Sequence, residues 1–495
     1  MADGLRPRKR GHTAHSKGFA SSYAAGLVAK RLECAVCPRF GLDFVNGPTT
    51  RLWGRYHVHS APCPEVSNLA HGPSPLAVHN LLRLILTLLA LSVGPLAAQT
   101  NLQTNKEPFL RFRNAPNGYT GSETEEASPT NVTEVRFGWF GPSSPEDPLG
   151  GQMWWAADLA IREANDEGGL GGRPFRLIPK WSDNPWGNGV PQVFRMVYED
   201  KVWALLGGID AASTHLAEQV VAKACLPLLS PVSTDKSVNL AGVPWMFSCA
   251  PGDHLIAPLL AEAVLKALPS PQDKLAVLSA TDHDSRMAAK ELIKALSERH
   301  RAPDFKFEFE PAQKAADPQL SSLAAAKPRV VLLIAGPEDS ARWVTAIRQR
   351  LAGTIIFGTH QMGRSRFLGL AGKAAEGVRF PVLWMPDGSD LATRRFAVSF
   401  RTHFGQEPDY AAALSFDATR LLIAATRQGG LNRARIREAL IQLSPWQGIA
   451  GPIQWDGTGQ NVRPVSRMGT IRNGQIVPGP FGQGRGQSPE DVGQR

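Results

Sequence analysis

Cysteine is scarce in this sequence, with five residues among 495. That number excludes a small scaffold held together by disulfides. Apolar residues are not scarce: they make up 43% of the chain, which excludes disorder along the whole length. A chain of this length can form two or three domains with sizeable cores.

Excess positive charge is missing from most of the chain, although the formal net charge is +10. Ten basic residues stand against four acidic ones between residues 1 and 79, and the rest of the chain is close to neutral. Domains that bind nucleic acid carry clustered positive charge. The distribution therefore argues against nucleic acid as a partner.

Long hydrophobic segments are absent apart from one run, LLRLILTLLALSV, at residues 81–93. About 13 residues are too few to span a bilayer, which needs about 20. The run is followed by the small-residue sequence GPLAAQ, so we predict a signal peptide over residues 80–98, cleaved after Ala98. No cysteine follows to carry a lipid, and we expect a soluble product in the periplasm. The alternative is a buried strand or helix.

Residues 1–79, ahead of the predicted signal peptide, show neither helical nor strand periodicity. We expect a disordered basic extension, or a start of translation that is misassigned. Residue types that bind zinc also occur there, namely Cys34, Cys37, His57, His59 and Cys63. Their spacing is irregular and no ordered core surrounds them. A polar linker is predicted over 99–133 and a disordered tail over 478–495.

From Glu134 onward, short apolar strands alternate with amphipathic helices. The predicted strands are 135–140, 175–181, 203–208, 226–231, 275–280, 305–309, 330–335 and 354–358. The predicted helices are 152–167, 190–200, 213–224, 285–300 and 339–351. Apolar strands joined by crossover helices indicate parallel sheets covered on both faces. A segment of about 340 residues is too long for a domain built on one such sheet. We therefore predict an α/β fold of two doubly wound parallel-sheet lobes.

Catalytic signatures are missing as well. The sequence contains no G-x-S-x-G, H-E-x-x-H or G-x-x-x-x-G-K-[ST] motif. We therefore expect a protein that is not an enzyme and that has no catalytic residues, metal ligands or cofactor.

Small and hydroxyl residues follow two predicted strands of the first lobe. They are Ala211, Ala212 and Ser213 after one strand, and Val232, Ser233 and Thr234 after the next. Open α/β sheets bind ligands at the carboxyl ends of their strands, and uncovered N–H groups at a helix start suit an anion. The alternative is that Ser213 and Thr234 are ordinary helix N-caps. Two such turns together favour a shared anion pocket.

Five segments between residues 134 and 477 have a distinctive residue pattern. They are FGWFGPSS (137–144), AADLAIREANDEGGLGGRPFRLI (156–178), WALLGGIDAASTHLAEQVV (203–221), LPLLSPVSTDKSV (226–238) and GPIQWDGTGQ (451–460). In these stretches, and over about residues 134–477, the sequence resembles the type I periplasmic solute-binding proteins, the branched-chain amino acid and amide binders of ABC importers. The resemblance implies a three-strand hinge and a ligand that binds between two closing lobes.

The resemblance also implies a ligand site. Thr234 falls on a hydroxyl that holds the backbone of an amino acid ligand, and Val232 on a residue that contributes its main-chain carbonyl. Ala211 stands where the family often has a serine whose side chain binds the ligand carboxylate. At this position only the backbone N–H of Ala211 can donate a hydrogen bond to the ligand. In the second lobe, Asp284 replaces a common aromatic residue, and His360 falls near a position that carries an acid in amino acid binders. These departures favour a cationic or hydroxyl-rich solute over a plain aliphatic amino acid.

The same resemblance implies where the chain passes between the lobes. The expected crossings are Ser248–Asp253, Pro386–Asp390 and Trp446–Ile449. The expected lobes are 134–250 with 388–446, and 251–387 with 447–477. Cys225 and Cys249 are close enough in sequence to pair, but we expect both thiols to be free and buried.

Taken together, the resemblance implies a monomer that captures a small polar solute, such as an amino acid or amide, and delivers it to ABC permease subunits. A ligand-sensing receptor domain of the same fold is the alternative. A hydrolase is a third class, and it would be distinguished by turnover of the solute.

Overall fold

The computed structural model describes residues 125–182, 184–312, 317–386 and 390–479. The predicted basic extension and signal peptide, with most of the linker and tail, lie outside the described residues and stay predictions. Within the described ranges, no helix is both long enough and apolar enough to cross a membrane.

Strands and helices alternate along the described residues. The strands are β1 (Val135–Phe140), β2 (Phe175–Lys180), β3 (Ala204–Gly207), β4 (Leu228–Ser230), β5 (Met246–Ser248), β6 (Leu275–Ala280), β7 (Phe305–Phe309), β8 (Val330–Ile334), β9 (Ile355–Gly358), β10 (Arg379–Pro381), β11 (Trp446–Gly448), β12 (Gly451–Ile453), β13 (Met468–Arg472) and β14 (Gln475–Pro478). The helices are α1 (Gly151–Asp166), α2 (Pro185–Tyr198), α3 (Ala211–Ala224), α4 (Ser237–Leu240), α5 (Asp253–Lys266), α6 (His283–Ser297), α7 (Asp317–Ala326), α8 (Pro337–Arg350), α9 (Ser365–Ala371), α10 (Leu391–Phe404), α11 (Tyr410–Gly429) and α12 (Arg433–Gln442).

The first lobe is built on a five-stranded parallel sheet with the strand order β2-β1-β3-β4-β5. The central strands β3 and β4 are buried throughout, as expected of a sheet with helices on both faces. On α1, the buried Met153, Ala156, Ala157 and Ala160 recur at helical spacing and form the face that packs into the core. This sheet confirms the predicted parallel α/β architecture.

The second lobe is built on a seven-stranded sheet with the strand order β14-β13-β10-β9-β8-β6-β7. Strands β6 to β10 are parallel, whereas β13 and β14 form an antiparallel hairpin on the β10 edge. The inner strands β6 and β8 are buried throughout and separate two apolar clusters. The lobe is therefore doubly wound, with an antiparallel edge that the strand pattern did not predict.

Two passages of the chain between the lobes lie at short connections. The first runs through residues 249–252, between β5 and α5. The second follows β10, where Val382 packs in a core of the second lobe and the next residue, Leu383, packs in the core of the first. It therefore comes before the predicted position at Pro386–Asp390.

The third passage differs from the predicted position at Trp446–Ile449. Trp446, Ile449 and Val465 all pack against the core of the first lobe, and the second lobe resumes at β13. The short hairpin β11–β12 stays with the first lobe because its apolar side chains are covered there.

The two cysteines of the described body do not pair with each other. Cys249 carries a free and fully buried thiol, and burial raises its pKa, which makes it unreactive. Cys225 is half-buried at the carboxyl end of α3, where its φ of 48° ends the helix.

Candidate ligand-binding site

A cavity of about 450 Å³ lies between the two lobes. Its walls are the segments that follow β3 and β4 in the first lobe and β6, β8 and β9 in the second. Lining residues include Leu149, Asp210, Ala212, Val232, Thr234, Asp282, His283, Asp284, Gly336, His360, Gln361 and Arg364. Ligand cavities of about 300–1,000 Å³ at the carboxyl ends of strands are typical of open α/β sheets.

Two larger cavities, of about 960 and 710 Å³, lie elsewhere. One is at the amino-terminal edge of the first sheet and the other is beside the hairpin β11–β12. Neither is lined by the turns that follow β3 and β4 of the first sheet and β6, β8 and β9 of the second, so the cavity between the lobes is the candidate site.

Five of the eight residues singled out from the sequence line this cavity, namely Ala212, Val232, Thr234, Asp284 and His360. The other three lie just behind it. Ala211 supplies its backbone N–H at the start of α3, Ser213 is buried in the first turn of that helix, and the Ser233 hydroxyl is buried without a partner among the described residues.

The turn after β3 begins α3 earlier than the sequence suggested. Asp210, not Ser213, is the N-cap, and its carboxylate accepts a hydrogen bond from the Ser213 backbone N–H at 2.7 Å. Ser213 completes a capping box from the third helical position. Gly208 leaves room for this turn, because a Cβ there would collide with the Ser213 hydroxyl. Thr234 does not cap a helix either, since α4 starts after Lys236.

The Asp284 carboxylate reaches across the cleft to the start of α3. It accepts hydrogen bonds from the Ala211 N–H at 2.8 Å and from the Ala212 N–H at 3.4 Å. Burial and the nearby Asp210 carboxylate raise the pKa of Asp284. The positive end of one lobe's helix is thereby covered by an acid of the other lobe.

Thr234 lines the cavity on the first-lobe side and contacts Asp253, the first residue of α5 in the second lobe. The Asp253 backbone N–H donates to the Thr234 carbonyl at 2.7 Å, which ties the turn after β4 to the start of α5. Burial raises the pKa of Asp253 well above its ordinary value, although a hydrogen bond from the Thr234 side chain opposes this. The Thr234 hydroxyl therefore lies between a buried acid and the cavity.

His360 is the polar side chain of this site that has no partner. It is 4% exposed, and neither ring nitrogen has a hydrogen-bond partner within the described part of the chain. Burial, and to a smaller degree the Arg364 guanidinium, lowers the pKa of His360 to about 3. At neutral pH the ring is therefore uncharged and offers one donor and one acceptor.

A buried ion pair also joins the lobes. Arg364, from the segment before α9, donates to the Asp409 carboxylate at 2.8 Å and to the Leu149 carbonyl at 2.6 Å. Asp409 at the same time caps α11 by accepting from the Ala411 and Ala412 N–H groups. Both side chains of the pair are 4% exposed. The structure is that of a closed cleft.

A second interlobe cluster, which the sequence analysis did not single out, lies beside the cavity. Asp235 Oδ2 is 2.9 Å from His283 Nε2 and 3.7 Å from His215 Nε2. Asp235 and Glu218 raise the pKa of His215 to about 9. Burial opposes ionisation of Asp235, but hydrogen bonds from His215 and Ser237 lower its pKa on balance. These residues form no local sequence motif. The only sequence feature that could have pointed to them is that the turns after the strands are polar.

Comparison with known proteins identifies relatives of this body. A family model described as periplasmic binding protein matches residues 134–475. A curated Pseudomonas aeruginosa protein named "Amino acid binding protein" is 26% identical over 143 residues, which are 27% of this chain and 38% of that relative. The match thus spans well under half of the relative's length.

Solved structures share the architecture. The branched-chain amino acid transporter substrate-binding protein LivJ of Streptococcus pneumoniae, in complex with isoleucine, has a TM-score of 0.63 and 19% identity, over 70% of this chain and 100% of that one. A solute-binding protein of an R. palustris ABC transporter, in complex with benzoate, has a TM-score of 0.64 and 16% identity, over 70% and 96%. At these identities the likeness shows the fold.

Proposed function

The chain belongs to the periplasmic binding protein family, and we propose that it captures a small polar solute between its lobes and delivers it to an ABC importer. The proposal is supported by a cavity that takes polar groups from both lobes, with hydrogen bonds that join them around it. A ligand shifts an open–closed equilibrium only if it prefers one form. A solute that contacts both Thr234 and His360 has that preference for the closed form.

The chemistry of the cavity favours a solute with a cationic or hydrogen-bond-donating group. Asp210 and Asp282 each accept a backbone N–H of their own helix, and the α3 amides are already covered by Asp284. An added anion would meet these carboxylates and be repelled. The groups left for a solute are the remaining lone pairs of Asp284, the Thr234 hydroxyl and the neutral His360 ring.

Amino acids, amides and related compounds combine such donors with a size that suits about 450 Å³. Binding proteins of this fold that are named above carry isoleucine and benzoate, and the carboxyl groups that line this cavity support a solute with a donor group rather than a simple carboxylate. We propose that the solute is delivered from the periplasm, after export directed by residues 80–98.

The test is a thermal-shift screen of the full chain against amino acids, amides, ureas, polyamines and short polyols. Ligand binding raises the melting temperature by mass action. We expect a cationic or donor-rich compound to stabilise the protein and to bind one to one in calorimetry, without being consumed. Release of a reaction product would contradict the proposal, and so would binding that is unchanged when both Thr234 and His360 are replaced.

The importer itself is tested by transport. Membranes that contain a candidate ABC permease from the same genome should take up the identified solute only when the binding protein is added. If the solute binds but no permease responds, the protein is a sensor of the same fold.

A further inference from the structure

The His215, Asp235 and His283 side chains converge between the lobes, on the side of the closed cleft next to α3. Their ligand atoms all lie within 4.8 Å of one another. His215 belongs to α3 and Asp235 to the turn after β4, both in the first lobe. His283 is the first residue of α6 in the second lobe.

We propose that these three residues bind a divalent transition metal ion, with zinc as the best fit, and that the ion fastens the lobes in the closed form. Two imidazoles and one carboxylate are a donor set that zinc accepts, and three protein ligands leave a fourth position open. In a tetrahedral site with metal bonds of about 2.0–2.1 Å, ligand atoms are about 3.3 Å apart. The distances from Asp235 Oδ2 to the two histidines, 2.9 and 3.7 Å, bracket that value.

The surroundings of the three ligands are those of a metal site. His215 faces Asp235 with Nε2, while its Nδ1 lies 3.1 Å from the Glu218 carboxylate. Such a carboxylate fixes the tautomer of a metal-bound histidine and makes it a stronger ligand. The Ser237 backbone N–H donates to Asp235 Oδ1 at 2.9 Å. The Ser237 hydroxyl donates to Asp235 Oδ2 at 2.5 Å and lies 3.0 Å from His215 Nε2, so a bound ion would replace these hydrogen bonds at the ligand atoms.

Metal binding must release the proton that His215 holds, because a metal-bound imidazole is neutral, and the lysine beside the site does not oppose a cation. Lys236 is the nearest basic residue in sequence, and its ammonium group is paired with Glu291 of α6 at 2.6 Å. The site is partly open to solvent, because His215 and His283 are 24% and 34% exposed, whereas Asp235 is 5% exposed. A metal ion can therefore enter without rearrangement of the core.

The position of the ligands couples the metal to the hinge. The first lobe alone offers one imidazole and one carboxylate, and the third ligand arrives only when the lobes close. Metal binding therefore favours the closed form through its higher affinity for that form. His283 also lines the solute cavity, so the open fourth position lies beside the solute.

The test is a calorimetric titration of the full chain with zinc chloride in the absence of solute. We expect wild type to bind one zinc equivalent that His283→Ala loses or binds at least tenfold more weakly. The exposed His403 provides the control, and His403→Ala should keep that equivalent. The histidines and cysteines upstream of residue 80 are present in all variants, so the difference isolates this site.

Two further measurements test the geometry. Glu218→Gln should weaken zinc binding by about tenfold, because it changes the residue that orients His215. Small-angle scattering should show a smaller radius of gyration when zinc is added to wild type, and no change for His283→Ala. Identical zinc isotherms for wild type and His283→Ala would overturn the site, and an unchanged radius with zinc bound would overturn its role in closure. Neither result depends on the identity of the solute.

Discussion

The Asp284 carboxylate accepts a hydrogen bond from the Ala211 backbone N–H at 2.8 Å, although the two residues are 73 positions apart in sequence and belong to different lobes. The Ala211 N–H lies at the positive end of α3, a place suited to an anion. In the closed protein, the group at that place is the Asp284 carboxyl of the opposite lobe, whose oxygens accept the helix N–H groups. The bond is therefore part of the closing mechanism, and a solute enters a cleft in which this position is already occupied.

Loss of the Asp284 carboxylate should open the cleft. A hydrogen bond of this kind contributes about 1.5 kcal/mol, which corresponds to roughly tenfold in the ratio of closed to open protein. We expect Asp284→Ala without solute to have a larger radius of gyration in small-angle scattering than wild type. Asp166→Ala, an exposed acid at the end of α1, is the control and should leave the radius unchanged. Equal radii for wild type and Asp284→Ala would show that the bond does not support closure.

The Thr234 hydroxyl should contribute directly to solute binding. Thr234→Val keeps the shape of the side chain but removes the hydroxyl that lines the cavity. We expect solute affinity to fall by about tenfold, the equivalent of about 1.4 kcal/mol. Thr234→Ser retains the hydroxyl and should bind within a few-fold of wild type by calorimetry. If the valine variant folds and binds as tightly as the serine variant, Thr234 does not contact the solute.

Acid should destabilise the protein through His360. Its pKa is lowered to about 3 in the folded protein, against about 6.5 in the unfolded chain. The unfolded chain therefore takes up the proton first as the pH falls, and stability is lost below about pH 6.5. Between pH 8 and pH 5 this amounts to about 2 kcal/mol.

The His360 contribution is measured as a difference between two proteins, so that other titrating groups cancel. Urea unfolding of His360→Phe should show about 2 kcal/mol less dependence on pH over this range than wild type. The exposed His403→Ala should match wild type. A phenylalanine variant with the pH dependence of wild type would mean that His360 is protonated normally.

The Arg364–Asp409 pair should be required for closure. Removal of one partner of a buried pair costs about 3–5 kcal/mol when the other stays buried. Opening of the lobes gives Asp409 access to water, so we expect Arg364→Gln to shift the protein to the open form and to weaken solute binding by more than tenfold. Scattering and calorimetry measure the two effects.

Arg366, in the first turn of α9 and two residues after Arg364, supplies a matched control. It pairs with Glu338 within the second lobe, and both side chains are exposed. Such surface pairs contribute about 0–1 kcal/mol, so Arg366→Gln should leave closure and binding nearly unchanged. Equal effects of the two substitutions would argue against a special role for the interlobe pair.

The exported form should begin near Gln99. The apolar run at 81–93 and the small residues before Gln99 are the basis of this prediction. Intact-mass measurement of protein from a periplasmic extract is expected to give this amino terminus. Recovery of the form that starts at Met1 in that extract would contradict the predicted cleavage.

Much of the fold could be predicted from the sequence because it depends on local patterns. The strands at 135–140, 275–280 and 305–309 have the predicted bounds, since each is an apolar or alternating run between clear breaks. Helix starts were less accurate: α3 and α6 begin two residues before Ser213 and Ser285. In each case an aspartate three residues earlier is the cap, and the serine lies in the first turn.

Other elements were missed because their signals are weak. β5 has three residues, and the β13–β14 hairpin carries only a partly buried alternation. The hairpin β11–β12 was expected to begin the second lobe, and only its packing shows that its side chains are covered by the first. Which lobe covers a short hairpin depends on the elements packed against it in three dimensions. A pattern of a few residues carries no information about those elements.

The sequence by itself determined two α/β lobes and the turns at their strand ends, because hydrophobic periodicity and the residues that follow each strand are local properties of the chain. The tertiary structure decided which of those turns face one another. Asp284 with Ala211, His283 with Asp235, and Arg364 with Asp409 are separated by 73, 48 and 45 positions. No periodicity links residues so far apart, and each pair lies on opposite lobes. These contacts form only when the hinge brings the two sheets together, so the chemistry of the cleft is a property of the closed protein.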